Sequence, residues 1–206
     1  MQNNKYLSNE FAQKALEEQK LLGKLILQKM AVREYEASLD DDEPAVYVGT
    51  YAKYNDELGI WGKWISLSKC GDYDTFMQVC HTLHADEDDP ELMFQDYQCF
   101  PEKFYSESGI DEDTFDKIME WYDMDNKEAF EAYMDAFGCD DKDKFQDCYM
   151  GEWDSEEDFA EHIISECYDL DSIMGSLSSY FDYKAYARDL FIDDYYFDGT
   201  YVFRRG

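Results

Sequence analysis

The sequence predicts an α+β protein built from a leading helix, a small sheet with a helix, a helical middle and a second mixed segment. Three observations predict it. The 206 residues are 45% hydrophobic and 17% aromatic, enough to bury one core or a few small ones. Apolar residues recur at helical spacing in some stretches and alternate in others. Only 3 Pro and 11 Gly interrupt these patterns. The chain also carries 49 Asp and Glu against 18 Lys and Arg, a net charge of −31. Acid-rich disordered chains lack aromatics, so this composition reads as folded.

The expected segments are 1–44, 45–103, 104–144 and 145–206. In the first, residues 1–39 read as one long helix capped at Ser8 or Asn9. Leu21, Leu25, Val32, Tyr35 and Leu39 form a stripe, with Gln28 as its polar member. Asp40, Asp41, Asp42, Glu43 and Pro44 then read as an acidic hinge. In the second, Ala45–Tyr51 and Ile60–Leu67 read as strands around a turn at Asn55, Asp56 and Gly59. Trp61 and Trp64 are expected in the core or on an edge strand. Asp72 or Asp74 opens a helix through Phe76, Val79, Cys80 and Leu83, and Glu91–Phe100 reads as a third strand.

In the third segment Phe115, Ile118, Met119 and Tyr122 share one helical face. Phe130, Tyr133, Met134 and Phe137 share another, ended by Gly138. The remaining faces are almost all carboxylate. Like charges at i,i+4 destabilise an isolated helix, so tertiary packing must hold these. In the fourth, Trp153 precedes an acidic helix start at Asp154–Asp158. A second helix is expected over Ile173–Leu190, and Phe191–Phe203 reads as a hairpin turning at Asp198–Gly199.

The distribution of charge narrows the function. Residues 1–39 are net +1, and the rest of the chain is acidic throughout rather than in a tail. Direct nucleic-acid binding lacks the basic footprint it requires, and anionic membranes repel such a surface. No apolar stretch suits a spanning helix or a secretory signal. Six widely spaced cysteines then read as reduced thiols in a cytoplasmic protein. No catalytic constellation and no cofactor fingerprint stands out. Cys80, His81 and His84, with Cys70 upstream, lack the spacing of a structural zinc site, and the frames starting at Asp123 and Asp194 fail as calcium loops. The expectation is therefore no catalytic residue, no cofactor and no metal. Composition leaves three readings open: an acidic solvated globule, loose ion binding, and imitation of DNA. A net −31 matches about 15 base pairs of duplex at one charge per ~1.7 Å.

Two motifs resemble a known family. Val46–Leu67, VYVGTYAKYNDELGIWGKWISL, resembles the opening strand–turn–strand of the ArdA antirestriction family, with its Lys-Tyr-Asn turn and Gly-x-Trp. Tyr180–Leu190, YFDYKAYARDL, resembles that family's C-terminal segment. The resemblance covers roughly residues 45–206. It implies an elongated, curved homodimer of three small domains, whose carboxylates imitate the phosphates of bent DNA and occupy the DNA-binding groove of type I restriction–modification enzymes. Such genes typically travel on mobile elements. The helix of residues 1–39 has no counterpart in the family pattern, and Ala187 stands where Gly is common.

On this reading the phosphate mimics form a set. They are Asp111, Glu112, Asp113, Asp116, Glu120, Asp123, Asp125, Glu128, Glu131, Asp135, Asp154, Glu156, Glu157, Asp158 and Glu161. Each alone is equally well a solvated surface group. The motif residues Tyr180, Asp182, Tyr183, Ala185, Tyr186, Arg188, Asp189 and Leu190 are expected at or near a dimer contact. The tyrosines suit core packing equally, and Arg188 suits an ion pair with Asp189 or Asp182. The competing reading is an acidic interaction module that sequesters another basic DNA-binding protein, such as a nucleoid protein.

Overall fold

The computed structural model describes residues 3–38, 40, 42–54 and 61–205, with side chains from residue 11 onward. The chain mixes helices with two small antiparallel sheets and parts into two compact units, residues 1–124 and 125–206.

The first unit holds α1 (Asn3–Ala31), β1 (Ala45–Thr50), β2 (Lys63–Ser66), α2 (Leu67–Cys70), α3 (Tyr73–Leu83), β3 (Leu92–Gln98) and α4 (Glu112–Tyr122). Its sheet runs β2-β1-β3. Central β1 is buried at every residue except half-buried Tyr47, as a strand covered on both faces must be. Across the sheet Val46 faces Ile65 and Tyr47 faces Trp64. Phe76 of α3 stacks on Phe94 of β3 at 5.8 Å and meets Phe115 of α4 at 5.6 Å. These three rings are almost fully buried, each contributing about 2–3 kcal/mol of transfer free energy. They tie α4 to the first unit.

Gly62, of the Gly-x-Trp motif, has a steric explanation. A Cβ there would run into the Tyr47 ring, which packs edge-on against Trp64 at 5.8 Å. Trp61 is buried beneath the Lys53 ammonium, 5.4 Å from its ring centroid.

The leading helix differs from expectation at both ends. It starts at Asn3, so Ser8 and Asn9 lie inside it, and it stops at Ala31. The chain beyond is captured by the sheet. A 3-10 turn at Arg33–Tyr35 leads into a bridge between Glu36 and Ile65, and the Ala37 amide donates to the Trp64 carbonyl at 3.1 Å. Leu25 and Val32 are buried as the stripe predicts, and Gln28 donates to Asp86 at 2.9 Å. Leu21, however, is exposed. Leu39, Asp41 and the turn at Asn55, Asp56 and Gly59 lie outside the described residues. In the acidic stretch Glu43 is buried and accepts from Ser66 Oγ and Lys69 Nζ, both at 2.8 Å, and from the Ser38 amide at 3.2 Å. Burial alone raises its pKa, but these donors together hold it below the usual value.

The second unit holds α5 (Lys127–Phe137), α6 (Lys142–Cys148), β4 (Tyr149–Glu152), α7 (Glu156–Cys167), α8 (Leu170–Met174), α9 (Tyr183–Asp193), β5 (Tyr195–Phe197) and β6 (Tyr201–Arg204). Its sheet runs β4-β6-β5. One aromatic cluster joins Phe130, Tyr133, Phe145 and Phe203. Another joins Trp153, Phe159 and Tyr195, with Phe191 5.6 Å from Phe159. The single helix expected over Ile173–Leu190 is broken. Gly175 takes φ 58°, ψ −132°, open chiefly to glycine, and the chain passes through a 3-10 turn at Gly175–Tyr180. Asp182 then restarts a helix, its carboxylate accepting from the Ala185 amide at 2.9 Å. The hairpin expected over Phe191–Phe203 forms only from Tyr195, because residues 191–193 complete α9; its turn is as expected, with Asp198 accepting from the Thr200 and Tyr201 amides. Strand β4 was not anticipated; it is four residues long and has no clear alternation.

Candidate functional site

The sequence singles out carboxylates, so their placement decides what the surface offers. In the first unit Asp111 caps α4, accepting from the Thr114 amide at 2.9 Å. Hydrogen bonding with Thr114 holds its carboxyl below the usual range. Glu112, Asp113, Asp116 and Glu120 follow along α4 and Asp123 closes it, all exposed. Phe115 and Ile118 sit on the buried face of the same helix. The 3.6-residue period therefore separates acid from core on one rod. Asp113 pairs with Lys117 at 2.9 Å. Six acids and one lysine thus lie between Asp111 and Asp123, about 18 Å at 1.5 Å rise per residue.

In the second unit Asp125, Glu128 and Asp135 are exposed and Glu131 is half-buried. All lie on or beside α5, whose opposite face buries Phe130, Tyr133 and Met134. Asp154, Glu156, Glu157, Asp158 and Glu161 are exposed around the start of α7. There they face the helix dipole favourably. Ser155 caps α7 through the Asp158 amide and donates its hydroxyl to the Asp158 carboxylate at 2.6 Å. Among the described residues, Glu112, Asp116, Glu120, Glu128, Asp154, Glu156, Glu157 and Glu161 make no ion pair and no side-chain hydrogen bond. Fourteen of the fifteen expected carboxylates are thus exposed, on helices anchored by aromatic cores.

Further exposed acids escaped the selection: Asp88, Asp89, Glu91, Asp96 and Glu107 in the first unit, and Glu152, Glu166, Asp189 and Asp193 in the second. Nothing in the sequence separates them from the chosen set, because exposure rather than residue type distinguishes a surface charge.

The Cys80–His81 grouping considered for a metal is not assembled. Cys80 is buried and His81 exposed. Burial also raises both structural thiols, Cys70 to about 12 and Cys80 well above its ordinary value. The side chains that do converge are His84, Asp86 and Glu87, whose ligand atoms lie within 4.8 Å of one another. A protein cation already sits among them: Lys53 Nζ is 2.8 Å from both carboxylates and 3.4 Å from His84 Nδ1. His84 is fully buried. Desolvation, with Lys53 next, lowers its pKa to about 4.

The C-terminal motif residues separate by environment. Tyr180 is 81% exposed on the 3-10 turn. Tyr183, Ala185, Tyr186 and Leu190 are half-buried on α9, and Asp182 is exposed at its cap. Phe181 packs edge-on against Tyr183 and Tyr186. Arg188 pairs with Asp189 at 2.8 Å, both well exposed. Ala187 is 3% exposed within the helix, so no glycine conformation is needed there. Exposed Ile173, Leu177 and Ile192 surround this region in the chain.

No helix among the described residues is long and apolar enough to cross a membrane. A comparison with curated proteins finds no match. A family model described as Antirestriction protein (ArdA) matches residues 46–203. That match covers both units and leaves α1 outside it, and on this ground the chain belongs to the ArdA antirestriction family.

Proposed function

We propose that the chain inhibits type I restriction–modification enzymes by occupying their DNA-binding groove as a DNA mimic. The observation that carries this reading is the linear charge density of its helices. Asp111–Asp123 is net −5 over about 18 Å, one charge per ~3.6 Å. Asp154–Glu166 is net −6 over a similar length, one per ~3 Å. A single DNA strand carries one phosphate per ~3.4 Å. Helices whose other faces are locked into aromatic cores present this charge on rigid supports, so little ordering entropy remains to be lost on binding. A groove lined by Lys and Arg would gain on such a surface what it gains on duplex, including the release of condensed counterions.

The protein acts without catalysis and without contacting nucleic acid, since its net charge repels phosphate. A target that works on DNA would be met in the cytoplasm, and carriage on a mobile element belongs to the same proposal. The exposed Tyr180 and the neighbouring apolar side chains of the second unit support a homodimer contact near α9. The three-domain division, with boundaries near 44, 103 and 144, is part of the same proposal; limited proteolysis at those positions checks it.

The test is competition. Purified chain should displace duplex DNA from a type I methyltransferase core, weakening by roughly 10³-fold or more between 50 and 200 mM salt. No displacement at any salt rejects the reading. Displacement from a nucleoid protein alone selects the competing module, which sequesters a different basic DNA-binding protein.

A further inference from the structure

We propose that a small cavity in the first unit binds a neutral carboxamide group. This does not rest on the proposed antirestriction mechanism, which uses none of the residues involved. The cavity encloses about 90 Å³ beside β1 and β3. Tyr54 lines it and is 57% exposed, so solvent reaches the opening, while Trp61 and Thr50 form buried wall.

Two glycines and a bulge shape this space. A Cβ on Gly62 would enter the Tyr47 ring, and one on Gly49 would come within 2.9 Å of the Gln95 amide nitrogen. Tyr47 faces Asp96 and Val48 faces Phe94, so Gln95 is the extra residue of a β-bulge with no partner on β1. A bulge re-aims a side chain out of the regular alternation. Here Gln95 lines the cavity while its neighbour Phe94 is buried in the core.

The polar groups of the wall select the ligand. The Trp61 indole N–H is buried and has no acceptor among the described residues. Such a donor is costly to leave unmet. Gln95 Nε2 reaches only the Met93 sulfur, at 3.9 Å, a weak acceptor, and its carbonyl oxygen accepts from no described side chain. A ligand that satisfies both walls presents one acceptor and one N–H donor. Charge excludes ions. Lys53, 5.4 Å from the Trp61 ring centroid, repels a cation. Its own charge is outweighed by Asp86 and Glu87, each 2.8 Å away, so an anion meets a cluster of net −1. Size excludes a ring: about 90 Å³ is the space of about three waters, or of a group of about four non-hydrogen atoms. A primary carboxamide meets all three conditions. Its carbonyl accepts from Trp61, and its amino group donates to Gln95 Oε1.

The experiment is NMR of the full chain with isotope-labelled tryptophan, titrated with acetamide. Of the four indole N–H resonances, that of Trp61 is assigned by its proximity to the Lys53 side chain. It should shift and saturate with a millimolar dissociation constant, as a ligand of so few atoms allows. Acetate should leave it in place. Gln95→Leu keeps the indole and should weaken acetamide binding at least tenfold, with the other three indole resonances unmoved. The peptide Gly-Gln-Gly tells the sources of the group apart: binding tighter than acetamide assigns it to a partner protein's glutamine side chain, and equal or weaker binding to a free small amide. No shift with acetamide, an equal shift with acetate, or unchanged binding in Gln95→Leu overturns the proposal and leaves water alone to meet the indole.

Discussion

Acidifying the protein from pH 7 to pH 5 should destabilise the first unit through His84. The imidazole is fully buried, with Lys53 Nζ 3.4 Å from its Nδ1. Desolvation first, and Lys53 second, lower its folded pKa from 6.5 to about 4, against the opposing pull of the Val48 backbone, Glu87 and Asp86. In the unfolded chain the same imidazole takes a proton near 6.5. Between pH 6.5 and 4 the unfolded state therefore binds more protons, and stability falls as pH falls. At pH 5 the linkage loss is roughly 2 kcal/mol, approaching about 3 kcal/mol below pH 4. Burial raises the Asp86 carboxyl, but hydrogen bonds from Lys53 and Gln28 outweigh it and hold the group below its usual range, so its ion pair with Lys53 persists at pH 5. The assay is urea denaturation followed by tryptophan fluorescence, comparing wild type with His84→Gln at both pH values. The variant lacks the titrating group and should lose about 2 kcal/mol less than wild type over the interval. Equal losses in the two proteins, or an imidazole resonance for His84 titrating near pH 6.5 in the folded chain, would refute the reasoning.

Other perturbations have equally definite outcomes. Reversing four or more of the carboxylates between Asp111 and Asp135 should weaken inhibition of a type I enzyme at least tenfold, read by DNA cleavage. Asp113→Asn alone should change it by no more than about fivefold, since one exposed charge is worth about 0–1 kcal/mol. Glu43→Ala strips the acceptor from Ser66, Lys69 and the Ser38 amide and should cost about 2–3 kcal/mol in urea denaturation. Gly62→Ala forces the Tyr47 ring off Trp64 and should cost about 1–3 kcal/mol by the same measurement. Cys99 and Cys167, which are exposed, should react with a disulfide reagent in the native state, whereas buried Cys70 and Cys80 should react only after unfolding.

Much of the architecture was legible in the residues because local rules and tertiary packing agree there. Val46 and Val48 beside Ile65 read as buried strands and are. Asp72, Asp111 and Ser155 open helices α3, α4 and α7 by accepting from the backbone amide three residues on. Of the two expected faces, Phe115, Ile118, Phe130, Tyr133 and Met134 lie inward as their spacing requires, whereas Met119 and Tyr122 are half-buried and Phe137, in the last turn of α5, is exposed. Helix ends were less legible. Residues 32–39 continue a helical pattern, yet the edge of β2 offers Glu36 and Ala37 backbone partners that a helix would forgo. The Ile173–Leu190 pattern likewise ignores Gly175, whose backbone turns where no periodicity records it.

The sequence by itself determined the size and sign of the charge, the segregation of acid from aromatic on each helix, and the two motifs that mark the family. These depend on residue identity and short-range spacing alone. Only the tertiary structure decided which polar groups leave the surface. Glu43 and His84 look like any other members of an acidic stretch or a helix end, yet Glu43 is buried against Ser66 and Lys69, 23 and 26 residues away, and His84 against Lys53, 31 residues away. Sequence spacing carries no information about such distant neighbours, so their environment, and hence their protonation, exists only once the chain has folded.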